Sequence, residues 1–275
     1  MKFSAKPFLF ITLSLALLGC GPSGPSERPL MEPDWLEVSD FIAPGVPADF
    51  GDTDPHPWAG ATPAHYPIHG IDAARYQGLI EFREARAEGV RFAWLKATEG
   101  GDFVDPGFRP NSARARAAGV PVGGYHFYYF CRSAAEQAEW FIRNVPKTKG
   151  DLPPVLDIEW NHTSPTCQKR PPAALVQSEM RVFLETLTKH YGTRPVIYTT
   201  IDFWRDNALE GFAGYEFWLR SVTAPPSERY PGTHWTFWQW TGTGVVPGVR
   251  GTSDINAFRG SPSAWQDWLA RRSQK

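Results

Sequence analysis

Apolar residues along this chain fall into short runs and helical stripes, and a regular alternation between the two begins at Ile68. Ile68–Asp72 reads as a strand. Residues 78–88 read as a helix stopped by Gly89, and Val90–Ala97 as the next strand. Residues 108–118 read as a helix stopped by Gly119, and Val120–Tyr128 as a strand. The phrases Ala87-Glu88-Gly89-Val90 and Ala117-Ala118-Gly119-Val120 repeat 30 residues apart. In each, a glycine free to take positive φ ends a helix and a β-branched residue opens a strand. That spacing is about one βα unit.

The alternation continues with a helix over 133–144 and a strand over Val155–Glu159. Val176, Met180, Phe183, Leu184, Leu187 and Tyr191 recur at helical spacing, and Gly192 stops that helix. Pro195–Thr199 is a further strand. Past about residue 210 helices thin out. Phe217–Val222, Trp235–Trp240 and Ser253–Asn256 read as strands, and 262–272 as a closing helix. Near-continuous apolar strands alternating with helices imply a mainly parallel sheet covered by helices. The expectation is an α/β fold: an irregular TIM-like barrel of about five βα units followed by three strands with few helices. An open doubly wound sheet is the alternative.

The N-terminal segment has a different character. Lys2 and Lys6 precede an apolar run from Phe8 to Leu18. That run is too short for a bilayer span of about 20 residues, and it fits the apolar core of a secretory signal over 1–19. It ends Leu17-Leu18-Gly19-Cys20, which resembles a bacterial lipobox and implies acylation of Cys20, with an ordinary signal peptide as the alternative. Residues 20–33, rich in Gly, Pro and Ser, read as a lipid-anchored tether. Residues 34–66 are proline-rich, show no period and read as an irregular extension lying over the domain. The barrel domain then occupies 67–272. The expected location is exported and membrane-anchored, on the outer membrane or in the periplasm if the cell has two membranes.

The chain carries 28 basic and 29 acidic side chains. That balance argues against a nucleic-acid partner, which needs a basic stripe. The 7 His are scattered and no paired-Cys spacing occurs, so no metal and no other cofactor is expected. Asp52-Thr53-Asp54 and Gly242-Thr243-Gly244 are too short for a calcium loop or a dinucleotide fingerprint and read as turns. The 12 Trp, 18 Phe and 9 Tyr suit flat-faced ligands such as sugars, or a large core. Cys131 follows the third strand and Cys167 the fourth. Neighbouring parallel strands lie about 4.8 Å apart, so their loops can bring the two cysteines into disulfide range at the same rim, and an exported chain meets an oxidising compartment.

Chemistry in such barrels sits at the carboxyl ends of the strands. Here those ends carry Asp72, Lys96 with Glu99, Tyr125 with His126, Asp157 with Glu159 and Trp160, Tyr198, Trp238-Gln239-Trp240, and Asp254. Several acids converging at one rim repel one another and shift each other's pKa. Asp157 and Glu159, two apart on a strand, share a face with Cα atoms roughly 6.5–7 Å apart. Repulsion and the apolar neighbour Trp160 should keep one of them protonated near neutrality, as cleavage of a glycosidic bond requires. Some of these residues have plainer readings. Tyr125, Tyr198 and Trp240 could be packing, His126 a structural hydrogen-bonding residue, and Lys96 and Glu99 a mutual pair.

His69-Gly70-Ile71-Asp72, Lys96-Ala97-Thr98-Glu99-Gly100, Gly124-Tyr125-His126-Phe127, Leu156-Asp157-Ile158-Glu159, Phe237-Trp238-Gln239 and Asp254-Ile255-Asn256-Ala257-Phe258 follow in that order. Together they resemble glycoside hydrolase family 25, the lysozymes known as N-acetylmuramidases, over about residues 67–259. The resemblance implies hydrolysis of the β-1,4 bond after N-acetylmuramic acid in peptidoglycan. It makes Glu159 the general acid/base. Asp157 would hold the substrate's 2-acetamido group, which itself attacks the anomeric carbon. Asp72 and Asp254 would flank that centre, and Tyr125, Tyr198, Trp238, Lys96, Glu99 and Trp160 would bind substrate. Ala73-Ala74 stands where the family usually has Val-Ser. The expected partners are peptidoglycan glycan strands and, through Cys20, a membrane, with the protein acting as a monomer. Two other functions remain open: a peptidoglycan-binding lipoprotein that does not cut, and a hydrolase of another N-acetylated polysaccharide.

Overall fold

The computed structural model describes residues 45–275. The signal segment, Cys20 and the tether lie outside the described residues. The strands are β1 (Gly51–Asp52), β2 (His69–Ala73), β3 (Val90–Glu99), β4 (Phe103–Val104), β5 (Val122–Phe127), β6 (Val155–Asp157), β7 (Val196–Thr199), β8 (Glu216–Arg220), β9 (Trp235–Val245) and β10 (Ser253–Phe258). The helices are α1 (Phe82–Ala87), α2 (Phe108–Ala117), α3 (Ala134–Asn144), α4 (Ala173–Tyr191), α5 (Ile201–Asp206), α6 (Pro226–Arg229) and α7 (Pro262–Arg272).

Eight of these strands run in the order β9-β10-β2-β3-β5-β6-β7-β8, and β8 pairs back to β9 to close a barrel. All neighbours are parallel except that β10 is antiparallel to both β2 and β9. The expected barrel is therefore present, and the open sheet is not. Because β10 runs backwards, its first residues lie at the rim where the other strands end. That reversal sets Asp254 directly opposite Asp72.

The two faces of each strand feed two cores. Inside the barrel, Phe92, Trp94, Val155, Val196, Trp218 and Phe237 pack together, with Trp94 stacked on Trp218 at 5.1 Å. These rings need room. A Cβ at Gly70 would lie 2.5 Å from the Phe92 ring, and one at Gly123 would lie 2.7 Å from Trp94 Nε1. Outside, Leu95, Leu156, Ile197 and Leu219 share a core with Phe141, Met180, Phe183 and Leu187 of α3 and α4. At the end opposite the strand termini, α7 lays Trp265 against Phe92 at 5.3 Å and Trp268 against Phe237 at 5.1 Å.

The described part of the extension, residues 45–66, takes the place of a missing helix layer. β1 pairs with the end of β9. Trp58 meets Trp238 edge-on at 5.1 Å, and Tyr66 meets Trp235 at 5.5 Å. An aromatic layer thus covers the outward face of β9, where no helix follows the strand.

Several boundaries differ from the sequence reading. The helix expected from 78 begins at Phe82, because Gly78 at φ 63 ends a preceding turn of 3-10 helix over Arg75–Gln77. β9 runs beyond Trp240 to Val245. The short helices α5 and α6 carry too few residues to show a period, and the pattern missed them.

Candidate active site

At the carboxyl rim the strands surround a cleft of about 560 Å³. Four of its acids arrive from three sides: Asp72 from β2, Asp254 from β10, and Asp157 and Glu159 from β6 and the segment after it. The ladder of β6 ends at Asp157, two residues short of the expected end. The strand-like alternation persists nonetheless. Ile158 donates its N–H to Tyr198 O at 3.0 Å and buries its side chain in the outer core, which turns Glu159 back to the cleft.

Burial governs the charges. It pushes Glu159 from 4.5 up to about 7, against the charge of Arg220. Asp157 is raised well above the usual carboxylate range, first by burial and then by the Glu159 charge. Its Oδ1 is buried and, among the described residues, has no hydrogen-bond partner. Such a group costs on the order of 1–3 kcal/mol until something fills it. Burial also raises Asp72 to about 6, although Asn256 Nδ2 and Gln239 Nε2 donate to its Oδ1 at 2.8 and 3.1 Å. Asp254 is raised well above its ordinary value by burial and by the facing Asp72. Like charges on facing carboxyls cannot both ionise cheaply, so Asp254 keeps the proton and Asp72 carries the charge.

Tyr125, Tyr198, Lys96 and Trp160 all line the cleft. Tyr198 donates its O–H to Gln239 Oε1 at 2.9 Å. Trp160 is fixed by its Nε1–H to Asp206 at 2.7 Å and by the Phe203 ring at 4.7 Å. Lys96 pairs with Glu99 and lies over the Phe127 ring at 4.6 Å. Glu99 accepts from Tyr129 O–H at 2.7 Å as well, and it is not among the residues lining the cleft. Trp238, expected to bind substrate, does not line the cleft. It is fully buried on the outer face, donates to Ser221 O at 2.7 Å and packs under Trp58. Its neighbour Gln239 points into the cleft instead. His126 is a buried packing residue, bonded to Thr98 Oγ1 at 2.7 Å and stacked on Phe183.

The sequence reading also missed cleft residues. His162, Asp202, Trp218, Arg220 and Gln239 line it. Gln239 and Trp218 could have been found by alternation, since residues two apart on one strand share a face. Cys131 and Cys167 are joined across the loops that follow β5 and β6, with Cα atoms 5.9 Å apart.

A closed βα barrel whose carboxyl rim gathers four buried or half-buried acids, with carboxyls held protonated toward neutrality, among aromatic walls, is the architecture of a glycoside hydrolase. Comparison with known proteins narrows the class. The family described as "Glycosyl hydrolases family 25" matches residues 71–249. Lysozyme M1 of Streptomyces globisporus is 36% identical over 207 residues, covering 70% of this chain and 68% of that one. The Escherichia coli K12 protein YegX is 35% identical over 215 residues, 75% of each chain. A solved family 25 glycosyl hydrolase from Bacillus anthracis superposes with a TM-score of 0.67 at 34% identity, covering 79% of this chain and 98% of that one. The chain belongs to glycosyl hydrolases family 25.

Proposed function

We propose that this glycoside hydrolase is a peptidoglycan-cleaving N-acetylmuramidase, acting on the β-1,4 bond between N-acetylmuramic acid and N-acetylglucosamine. The observation that carries the reading is Glu159, held at about 7 in the same cleft as Asp157 with its open acceptor. Glu159 protonates the leaving oxygen. The 2-acetamido oxygen of the muramyl residue attacks the anomeric carbon, while Asp157 accepts a hydrogen bond from the acetamido N–H. Glu159, now a carboxylate, takes a proton from water as that water opens the cyclic intermediate. The two inversions give net retention, the substrate-assisted variant of the retaining scheme. Asp72 and the protonated Asp254 hold the opposite wall, and Tyr125, Tyr198, Lys96 and Trp160 contact sugar.

The names of the relatives support the substrate: Lysozyme M1 and two N,O-diacetylmuramidases are among them. The signal-like segment ending at Cys20 supports export and lipid anchoring, and the protein acts as a monomer facing the wall. Digestion of purified peptidoglycan with mass analysis of the new reducing ends tests the reading. Reducing-end N-acetylmuramic acid is expected. Reducing-end N-acetylglucosamine would overturn the bond assignment, and an intact wall that still binds the protein would make it a binder.

A further inference from the structure

Besides His162, the basic side chains Lys96 and Arg220 line the cleft. Lys96 is committed to Glu99. Arg220 is the last residue of β8, exposed, and it makes no hydrogen bond or ion pair through its side chain with any described residue. It stands two residues beyond Trp218 on the same strand face, opposite Gln239 in register. Gly242 keeps the space beside it open. A Cβ there would lie 3.1 Å from Asp254 Oδ1 and 4.0 Å from Arg220 Nη2.

An unpaired guanidinium among acids would ordinarily be read as their counter-ion. Here three of them offer it little charge near neutrality, and Asp72, which carries the charge of its pair, already accepts from Asn256 and Gln239. Burial raises Asp157 and Asp254 well above the usual range, and Glu159 to about 7. The guanidinium therefore stands in an open groove with no carboxylate hydrogen-bonded to it and its planar fork of donors unused. Such a fork matches a carboxylate, which it can bind through two parallel hydrogen bonds.

We propose that Arg220 selects the substrate by binding a carboxylate on the side arm of the muramyl residue. This rests on the peptidoglycan reading and deepens it, because a muramyl sugar differs from N-acetylglucosamine in carrying a lactyl ether at O3. Two sources offer the same chemistry: the lactyl carboxylate of a peptide-free strand, and the free carboxylate of a glutamate in the stem peptide. A glycan of N-acetylglucosamine alone has neither, so Arg220 discriminates wall glycan from chitin.

The test is calorimetric binding to the mature chain at pH 6.5, using ligands too short to be cut. One pair is the disaccharide N-acetylglucosaminyl-N-acetylmuramic acid and its lactyl methyl amide. The second pair is the same disaccharide carrying Ala-Glu with a free glutamate carboxylate, or with that carboxylate amidated. Wild type should bind the carboxylate member of at least one pair about tenfold more tightly, as a partly exposed charge-assisted contact allows. The pair that shows the preference identifies the source. Arg220→Gln should abolish the preference while its affinity for the amide members stays within about twofold, which also reports that the variant is folded. No preference in wild type, or an unchanged preference in Arg220→Gln, overturns the proposal. Failure of the wild type to digest peptidoglycan while the preference stands would count against the hydrolase reading alone, so the two are separable.

Discussion

The proton on Glu159 should set the alkaline limb of activity. An ordinary glutamate at 4.5 would be about 3% protonated at pH 6, whereas a group at about 7 is about 90% protonated, a roughly 30-fold gain in the acid form. Between pH 6 and pH 8 that fraction falls about tenfold, and kcat/KM should fall with it, because this parameter reports the free enzyme. The assay is release of reducing ends from solubilised peptidoglycan across pH 5–9 at constant ionic strength. Glu159→Gln should lower the rate by at least about 10²-fold, the usual contribution of a general acid. The same substitution has a stability signature. The folded-state pKa lies above the unfolded one, so the folded protein binds more protons between pH 4.5 and 7 and loses stability as pH rises through that window. Glu159→Gln escapes that loss. It should be the more stable protein at pH 8, by at most about 3 kcal/mol, and equal to wild type below pH 4.5. A rate that is flat from pH 6 to pH 8, or a folded Gln variant with more than about a tenth of the wild-type rate, would refute the assignment.

Four further outcomes are expected. Asp157→Asn should cost activity, and the first product released by wild type should be the β anomer by proton NMR; an α product would exclude the neighbouring-group route. Trp58→Ala should lower unfolding free energy by about 2 kcal/mol, less than the ~3–5 of a fully buried tryptophan, and a chemical-denaturation midpoint equal to wild type would remove the extension from the stabilising core. Thiol titration of the denatured, unreduced mature protein should find no reactive thiol at Cys131 or Cys167, and two would break the bridge. Intact mass of the native protein should show an acylated N-terminus at Cys20, and an unmodified start downstream of it in the soluble fraction would end the lipoprotein reading.

The first five βα units were legible because each is local. A glycine stop and a β-branched start lie next to each other in sequence, and α4 declares itself over five turns of one stripe. Asp72, Asp157 and Glu159 were legible for a related reason, since packing alone seldom puts an acid at the end of an apolar run. Trp238 was misplaced because alternation fixes which residues share a face, but not which face looks inward. That choice depends on what covers the outside of β9, namely residues 45–66, whose own packing has no period to read. Arg220 carried no signal at all, because one arginine at a strand end is ordinary until the barrel closes and puts it over a ring of acids. The polarity of β10 was equally hidden, being settled by pairing with β2 across most of the chain's length.

The aromatic cover over β9 has a practical corollary for anyone handling this enzyme. A boundary drawn at Pro67, where the repeating pattern starts, would strip Trp58 and Tyr66 from Trp235 and Trp238. Two tryptophans of β9, Trp235 and Trp238, would then look out into solvent. A contiguous indole surface of that kind is adhesive. The shortened protein should keep its cleft chemistry and yet self-associate, so that low solubility would report a missing lid on the barrel wall rather than a fault in the catalytic rim.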